Sequence, residues 1–407
     1  MAKTDKYRVG IIATHPIQYY APWYRALANR PEVKLKVFYC HHQGPEDHAR
    51  SEFGIPFAWD IPLFDGYEHV FLRNVARHPA VFGFFGCDTP DIMRIIYEKR
   101  FDAFITHGWR TKSNWQAIDA CWRSGTPILV RGDSYLLARH IFLKQWMKYI
   151  THRWFIPKFD AYLVVGKRAR DYYLYYGAQE KKMFFAPHTV DNDFFAAHKA
   201  AFQPERENIR NIWKIPKGSV VFLFAGKIVP KKRPHDFINA IKMTYNRCRQ
   251  IFGLVVGDGY FRNSLERKVK KYNLPVVFTG FLNQSDMPKA YTAADVLVLP
   301  SDAVETWGLV VNEAMACALP AIVSNKAGCT SDLIISGETG EEFRCGDTRQ
   351  LSGIMERFIL DPEKRENMGK KAKELIDRYS IAASVDGALQ AIKYVTGKRR
   401  EEPFAGR

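Results

Sequence analysis

The chain has 407 residues, 47% of them apolar, and carries a formal charge of +17. That length supports two domains with cores of their own, and the composition excludes bulk disorder and a bundle of membrane-spanning helices. The seven cysteines include no C-x-x-C pair, which argues against a disulfide framework or a zinc site and for a reducing compartment.

Apolar runs of strand type alternate with amphipathic helical stretches, the signature of parallel sheets with crossover helices. Arg8 to Thr14 predicts a buried strand, Pro22 to Asn29 a helix and Val33 to Cys40 a second strand. The apolar run Val9 to Ala13 is too short for a signal peptide. Residues 41–100, rich in Pro, Gly and Phe, give no regular pattern. Strands follow at Phe101 to Thr106, Pro127 to Arg131 and Ala161 to Val165, with a helix around Trp115 to Arg123. From Val220 a second alternation begins. Strands are expected at Val220 to Ala225, Ile251 to Val256, Val276 to Thr279, Val296 to Leu299 and Ala321 to Ser324. Helices fall at Pro234 to Arg247 and Asn263 to Tyr272, and a last helical period runs from Ile381 to Val395.

Two such blocks predict two Rossmann-like domains facing a cleft, joined through the loop-rich segment from Ala186 to Glu207. The expected boundaries are 1–190, 191–380 and a C-terminal helix with a basic tail, 381–407, returning to the first domain. Neither first strand leads into G-x-G-x-x-G, so a dinucleotide cofactor is disfavoured.

The most informative stretch runs from Pro300 to Leu333. It holds Glu305-Thr306-Trp307-Gly308-Leu309, then Asn312-Glu313-Ala314, within a frame of Pro300-Ser301, Leu319-Pro320 and Ala327-Gly328. Glu305 falls in a loop after a strand, and Glu313 inside the helix starting near Gly308. A helix N-terminus beside the carboxyl end of a strand binds anions through free N–H groups and its dipole. A diphosphate there needs carboxylates only at its edges, where they accept hydrogen bonds from sugar hydroxyls. That geometry suits Glu313 to a ribose and Glu305 to a second sugar. The plain alternative is a loop charge and a solvated helix residue, and the surrounding frame weighs against it.

This stretch resembles the E-x7-E motif of the large retaining glycosyltransferase family with the GT-B fold, family GT4. The resemblance covers the second half of the chain. Ala225-Gly226-Lys227 through Lys231-Lys232 resembles the family's basic phosphate loop, Gly257-Asp258-Gly259 the end of its next strand, and Phe278 to Leu282 the segment leading to the nucleotide base. Tyr291, Asp295, Gly340 and Asp347 fit the same pattern.

The resemblance implies roles. Gly226, Lys227, Lys232, Gly257, Phe281, Glu305, Thr306, Trp307, Gly308, Leu309 and Glu313 would hold a nucleotide-sugar donor, with Lys227, Lys232 and Glu305 also catalytic. Where many members carry a His after the strand ending near Val130, this chain has Arg131-Gly132-Asp133. Asp133 and His107 are therefore both catalytic candidates. No cofactor and no metal is implied. Asp191-Asn192-Asp193 matches D-x-D literally, but the lysines already supply the cations.

The acceptor expected is a hydroxyl of a glycan or of a lipid-linked glycan. The basic charge calls for an anionic partner, whether phosphates, acidic lipid headgroups or nucleic acid. Between 139 and 170, Phe142, Trp146, Tyr149 and Arg153 recur at helical spacing with Lys144 and Lys148 beside them. Such a helix can rest on an anionic bilayer, and inward packing of its aromatics is the alternative. A cytoplasmic protein, peripheral on the inner face of the cytoplasmic membrane, is the expectation. A nucleic acid partner has no motif behind it. The competing functions are a non-catalytic glycan- or membrane-binding relative, a DNA-modifying glycosyltransferase and a sugar-nucleotide epimerase.

Overall fold

The structure, a computed structural model, describes residues 6–42, 44, 56–136 and 142–401. It separates into two compact units. One contains 6–42, Pro62–His188 and the C-terminal helix Ile381–Glu401; the other contains Thr189–Ser380 and takes in 56–61.

The first unit is built on a parallel seven-stranded sheet. Its strands are β1 (Tyr7–Ala13), β2 (Val33–Tyr39), β3 (Glu68–Phe71), β4 (Ala103–His107), β5 (Ile128–Gly132), β6 (Ala161–Val164) and β7 (Met183–Phe185), ordered β3-β2-β1-β4-β5-β6-β7. The central strands are buried on both faces, so they read as unbroken apolar runs. Alternate residues still feed different cores. Ile12, Phe104 and Tyr162 join one cluster with Ile118 and Tyr173; Ile11, Ile105 and Leu163 join the other with Trp23 and Leu27.

The second cluster is closed by the C-terminal helix. Val385, Ala388, Leu389, Ile392 and Val395 recur at helical spacing and enter it. The helix returns to the first unit, packing on β6, on β7 and on the helix Tyr20–Ala28.

The second unit carries a parallel six-stranded sheet. Its strands are β8 (Val220–Ala225), β9 (Ile251–Val256), β10 (Val276–Gly280), β11 (Val296–Leu299), β12 (Ala321–Ser324) and β13 (Gly340–Phe343), ordered β10-β9-β8-β11-β12-β13. Every residue of β8, β9, β11 and β12 is buried. The two sheets are Rossmann-like and both reverse their strand order once, between β1 and β4 and between β8 and β11. In open α/β sheets, ligands bind outside the carboxyl ends of the strands at such a switch point.

Candidate functional site

In the second unit, the switch point brings together residues distant in sequence. The loop after β8 turns at Gly226 and runs through Lys227 to a short turn at Pro230–Lys232. The loop after β11 carries Glu305. Lys232 and Glu305 form an ion pair, their side chains 12% and 14% exposed. The two loops are also tied by backbone, since Asp302 N–H donates to Lys231 C=O at 2.9 Å. Ser301 Oγ donates to Glu305 Oε2 at 3.4 Å. Behind Glu305, Gly328 N–H donates to Glu305 C=O at 2.9 Å, and Cys329 N–H to Trp307 C=O at 3.1 Å. The carboxylate therefore sits on a laced loop.

Gly308, with φ +106°, precedes the helix Leu309–Ala316. That left-handed turn swings the chain from the Glu305 loop into the helix, a conformation open mainly to glycine. Glu313 lies inside this helix and is 2% exposed, not a solvated residue. Tyr291 donates its hydroxyl to Glu313 Oε2. Tyr291 was singled out in sequence beside Asp295, but Asp295 is structural: its carboxylate accepts from Arg206, Arg210 and the Val221 amide.

Gly257, with φ +127°, ends β9 beside Gly226. A Cβ at Gly257 would lie 2.1 Å from Gly226 C=O. The close approach of these two backbones sets the path of the lysine loop. Thr306 is exposed, and Leu309 is partly buried. Trp307 turns inward: it is 5% exposed and its Nε1–H donates to Asn312 Oδ1 at 2.8 Å. Phe281, just after β10, meets Phe57 with ring centroids 4.3 Å apart. Asn283 Nδ2 donates to Ala58 C=O at 2.7 Å, which holds 56–61 in place there.

Asp191 accepts from Phe194 N–H at 3.0 Å and caps the helix Asn192–Phe202. Asn192 Nδ2 donates to Ile376 C=O at 3.0 Å. The D-x-D segment is thus used in capping and tethering, and no group of His, Cys, Asp and Glu suited to a metal occurs among the described residues.

The first unit holds a cavity of about 380 Å³ where β1, β4 and β5 end. His107 and Asp133 both line it, together with Arg131 and His188. His107 stacks on Tyr20 at 4.5 Å between ring centroids. Its Nε2 pairs with the Tyr24 hydroxyl at 2.8 Å, while Nδ1 is buried without a protein partner. Burial, reinforced by Arg131, holds the His107 pKa well below the usual range. Burial also lowers His188, against the pull of Asp133, whose Oδ2 lies 3.8 Å from His188 Nε2. Arg131 and His188 were not picked out from sequence. Arg131 stands at the end of an apolar strand, and His188 follows β7, a strand too short to register.

Residues 205–375 match the model described as glycosyl transferases group 1. The chain is 38% identical over 132 residues to sulfoquinovosyl transferase SQD2 of Arabidopsis thaliana, covering 32% of this chain and 25% of that protein. It is 29% identical over 228 residues to 2-deoxystreptamine glucosyltransferase of Streptomyces kanamyceticus, covering 55% and 57%. The chain thus spans little more than half of these relatives, or less. Among solved structures, HepE of Anabaena in complex with UDP and glucose superposes with a TM-score of 0.70 at 15% identity, covering 95% of this chain and 99% of that one. A glycosyltransferase from Rickettsia africae superposes with a TM-score of 0.71 at 15% identity, covering 96% and 98%. Residues 205–375 thus carry the likeness to the glycosyl transferases group 1, and the paired Rossmann-like sheets share the fold of these solved structures.

Proposed function

We propose that the chain is a glycosyltransferase that moves a sugar from a nucleoside-diphosphate donor to a hydroxyl of a glycan or lipid-linked acceptor, with retention at the anomeric carbon. One observation carries this reading: the Lys232–Glu305 pair in the loops after β8 and β11, with Glu305 beside the helix N-terminus at Gly308 and Glu313 buried within that helix. Segment 191–380 would be the donor domain, 1–190 the acceptor domain and 381–407 the C-terminal helix with its basic tail. SQD2 is named as a sulfoquinovosyl transferase and the Streptomyces protein as a glucosyltransferase, and HepE was solved with UDP. Those facts support the reaction class and make UDP-sugars the first donors to try.

In this reading the bond between the anomeric carbon and the diphosphate oxygen breaks, and the electron pair leaves with the diphosphate. The acceptor oxygen bonds to the same carbon on the same face, and its proton passes to the departing phosphate oxygen. Lys227, Lys232 and the amides at Gly308 stabilise the charge that grows there, and such preorganised donors contribute most where water is excluded. Glu313 accepts from ribose hydroxyls and Glu305 from the transferred sugar. No metal is called for, since the lysines neutralise the leaving group.

A membrane surface is the proposed working place, with the protein on the cytoplasmic side. No helix among the described residues is long and apolar enough to cross a membrane. The helix Phe142–Phe155 nevertheless exposes Trp146 (57%), Met147 (57%), Ile150 (47%) and Trp154 (60%) along one stripe. Apolar surface of this kind, with Lys158 Nζ 3.5 Å from the centre of the Trp154 ring, suits an anionic interface.

The test is a thermal-shift and donor-hydrolysis screen against UDP-, GDP-, ADP- and dTDP-sugars, with Glu313→Ala as control. Stabilisation by one donor, lost in E313A, with release of free nucleotide, is the expected result. Product analysis separates transfer from epimerisation. Absence of any donor-dependent shift would sink the proposal and leave the non-catalytic reading.

A further inference from the structure

Arg131 is 3% exposed and lines the first unit's cavity. Its Nη2 donates to Pro187 C=O at 3.0 Å, but Nε and Nη1 are buried with no protein acceptor. The rings of Tyr20 and Trp23 lie 5.4 and 5.5 Å from its Cζ and hold the guanidinium in place. A buried arginine with a purely structural task looks different in the same chain. Arg210, 5% exposed, spends Nε on Ala293 C=O, Nη1 on Ser219 C=O and Nη2 on the Asp295 carboxylate. Donors left unsatisfied at a buried site are costly, and most so on a charged group.

The charge around Arg131 is also unbalanced. Arg110 and Lys148 line the same cavity, against the single carboxylate of Asp133. The histidines do not add to the positive charge near neutral pH, because burial lowers His107, His152 and His188. His107 presents a second orphaned atom, Nδ1, to this region. The volume, about 380 Å³, falls within the range of small-molecule sites, roughly 300–1,000 Å³. It exceeds by far the ~30 Å³ that one water occupies. A planar guanidinium with two open donors matches a tetrahedral oxyanion, to which it gives parallel hydrogen bonds.

We propose that this cavity binds the phosphate of a phosphate-bearing acceptor, with Arg131 as its main ligand and Arg110 and Lys148 at its rim. That the phosphate belongs to an acceptor rests on the proposed transfer reaction. The anion site itself does not. The phosphate can be that of a soluble sugar or polyol phosphate or that of a lipid headgroup, and the chemistry of recognition is the same.

The test is calorimetric titration of the full chain with glycerol 3-phosphate, with glycerol as the neutral control. UDP is held at saturation so that the Lys227/Lys232 loop is covered. Glycerol 3-phosphate should bind and glycerol should not, with affinity at least ten-fold weaker in Arg131→Gln and partly restored in Arg131→Lys. Cosedimentation with phosphatidylglycerol vesicles, against phosphatidylcholine vesicles, forms the second arm. An Arg131-dependent loss in either arm supports the site and identifies the phosphate source. Equal binding by wild type and R131Q in both arms, or no phosphate binding in either, overturns it. If R131Q loses its far-UV circular dichroism, Arg110→Ala with Lys148→Gln takes its place, with a loss of about three- to ten-fold expected. Failure of UDP to bind, with phosphate still bound through Arg131, would sink the transfer reading alone.

Discussion

Replacing Lys232 by alanine probes the pair on which the proposed donor site is built. The two side chains are 12% and 14% exposed, so the pair lies between two limits. Exposed ion pairs are worth about 0.2–1 kcal/mol, and breaking a buried one costs about 3–5 kcal/mol because the remaining charge is stranded. Lys232→Ala leaves Glu305 with the Ser301 hydroxyl, 3.4 Å away, and is expected to destabilise the second unit by about 1–3 kcal/mol. Glu305→Ala should do the same. The double variant should cost less than the sum, with a coupling of about 1–3 kcal/mol.

Catalysis responds separately. If Lys232 meets the leaving diphosphate, its loss removes about 2.7–4 kcal/mol of transition-state stabilisation, or 10²–10³ in kcat. Urea unfolding of the four proteins measures the coupling, and donor hydrolysis measures the rate. Additive stabilities together with an unchanged hydrolysis rate would refute the reasoning. A coupling without a rate effect would leave the pair as architecture only.

Gly257→Ala forces a Cβ to 2.1 Å from Gly226 C=O at a φ of +127°, and should cost at least about 2 kcal/mol while weakening UDP binding. Normal stability and UDP affinity in G257A would contradict the close-approach argument. Asp191→Ala removes a helix cap and should cost about 1 kcal/mol in urea unfolding without lowering donor turnover, which should also survive EDTA. Loss of turnover in either case would revive a metal at D-x-D. Stability should also fall in acid. Burial places the folded pKa of His107 and His188 below the unfolded value near 6.5 and pushes His152 down to about 4. The unfolded chain therefore binds more protons, and stability present above about pH 6.5 is lost as pH falls towards the folded values, by at most about 1.4 kcal/mol per pH unit and group. His107→Gln should flatten that slope, and equal stability at pH 7.5 and 5 would contradict it.

The strands that could be read from sequence are those buried on both faces. Val220–Ala225 and Ile251–Val256 have no polar residue to confuse the pattern, and the structure keeps their limits. The strands that escaped are edge or near-edge pieces: Glu68–Phe71 exposes Glu68, Met183–Phe185 has three residues, and Gly340–Phe343 buries only its first and last. None of these carries enough apolar periodicity to stand above its surroundings.

Candidate site residues divide along a similar line. Glu305, Glu313 and Lys232 stand out because the strand-end loops, and the helix Leu309–Ala316 that one of them leads into, carry recognisable frames in the chain itself. Arg131 did not, because nothing local distinguishes it: its meaning depends on Pro187 and on Tyr20 and Trp23 of one helix, contributed by two other segments. Phe57 meets Phe281 across more than two hundred residues, and it lies in the stretch where no pattern could be read. The proposed donor site, made from strand-end loops, is thus written mostly in sequence, whereas a pocket assembled from the ends of β1, β4, β5 and β7 appears only when those ends converge. The part of the molecule that would choose its acceptor is accordingly the part least open to reading from sequence. The orphaned guanidinium of Arg131, in contrast to the satisfied one of Arg210, is the kind of mark that only the folded chain provides.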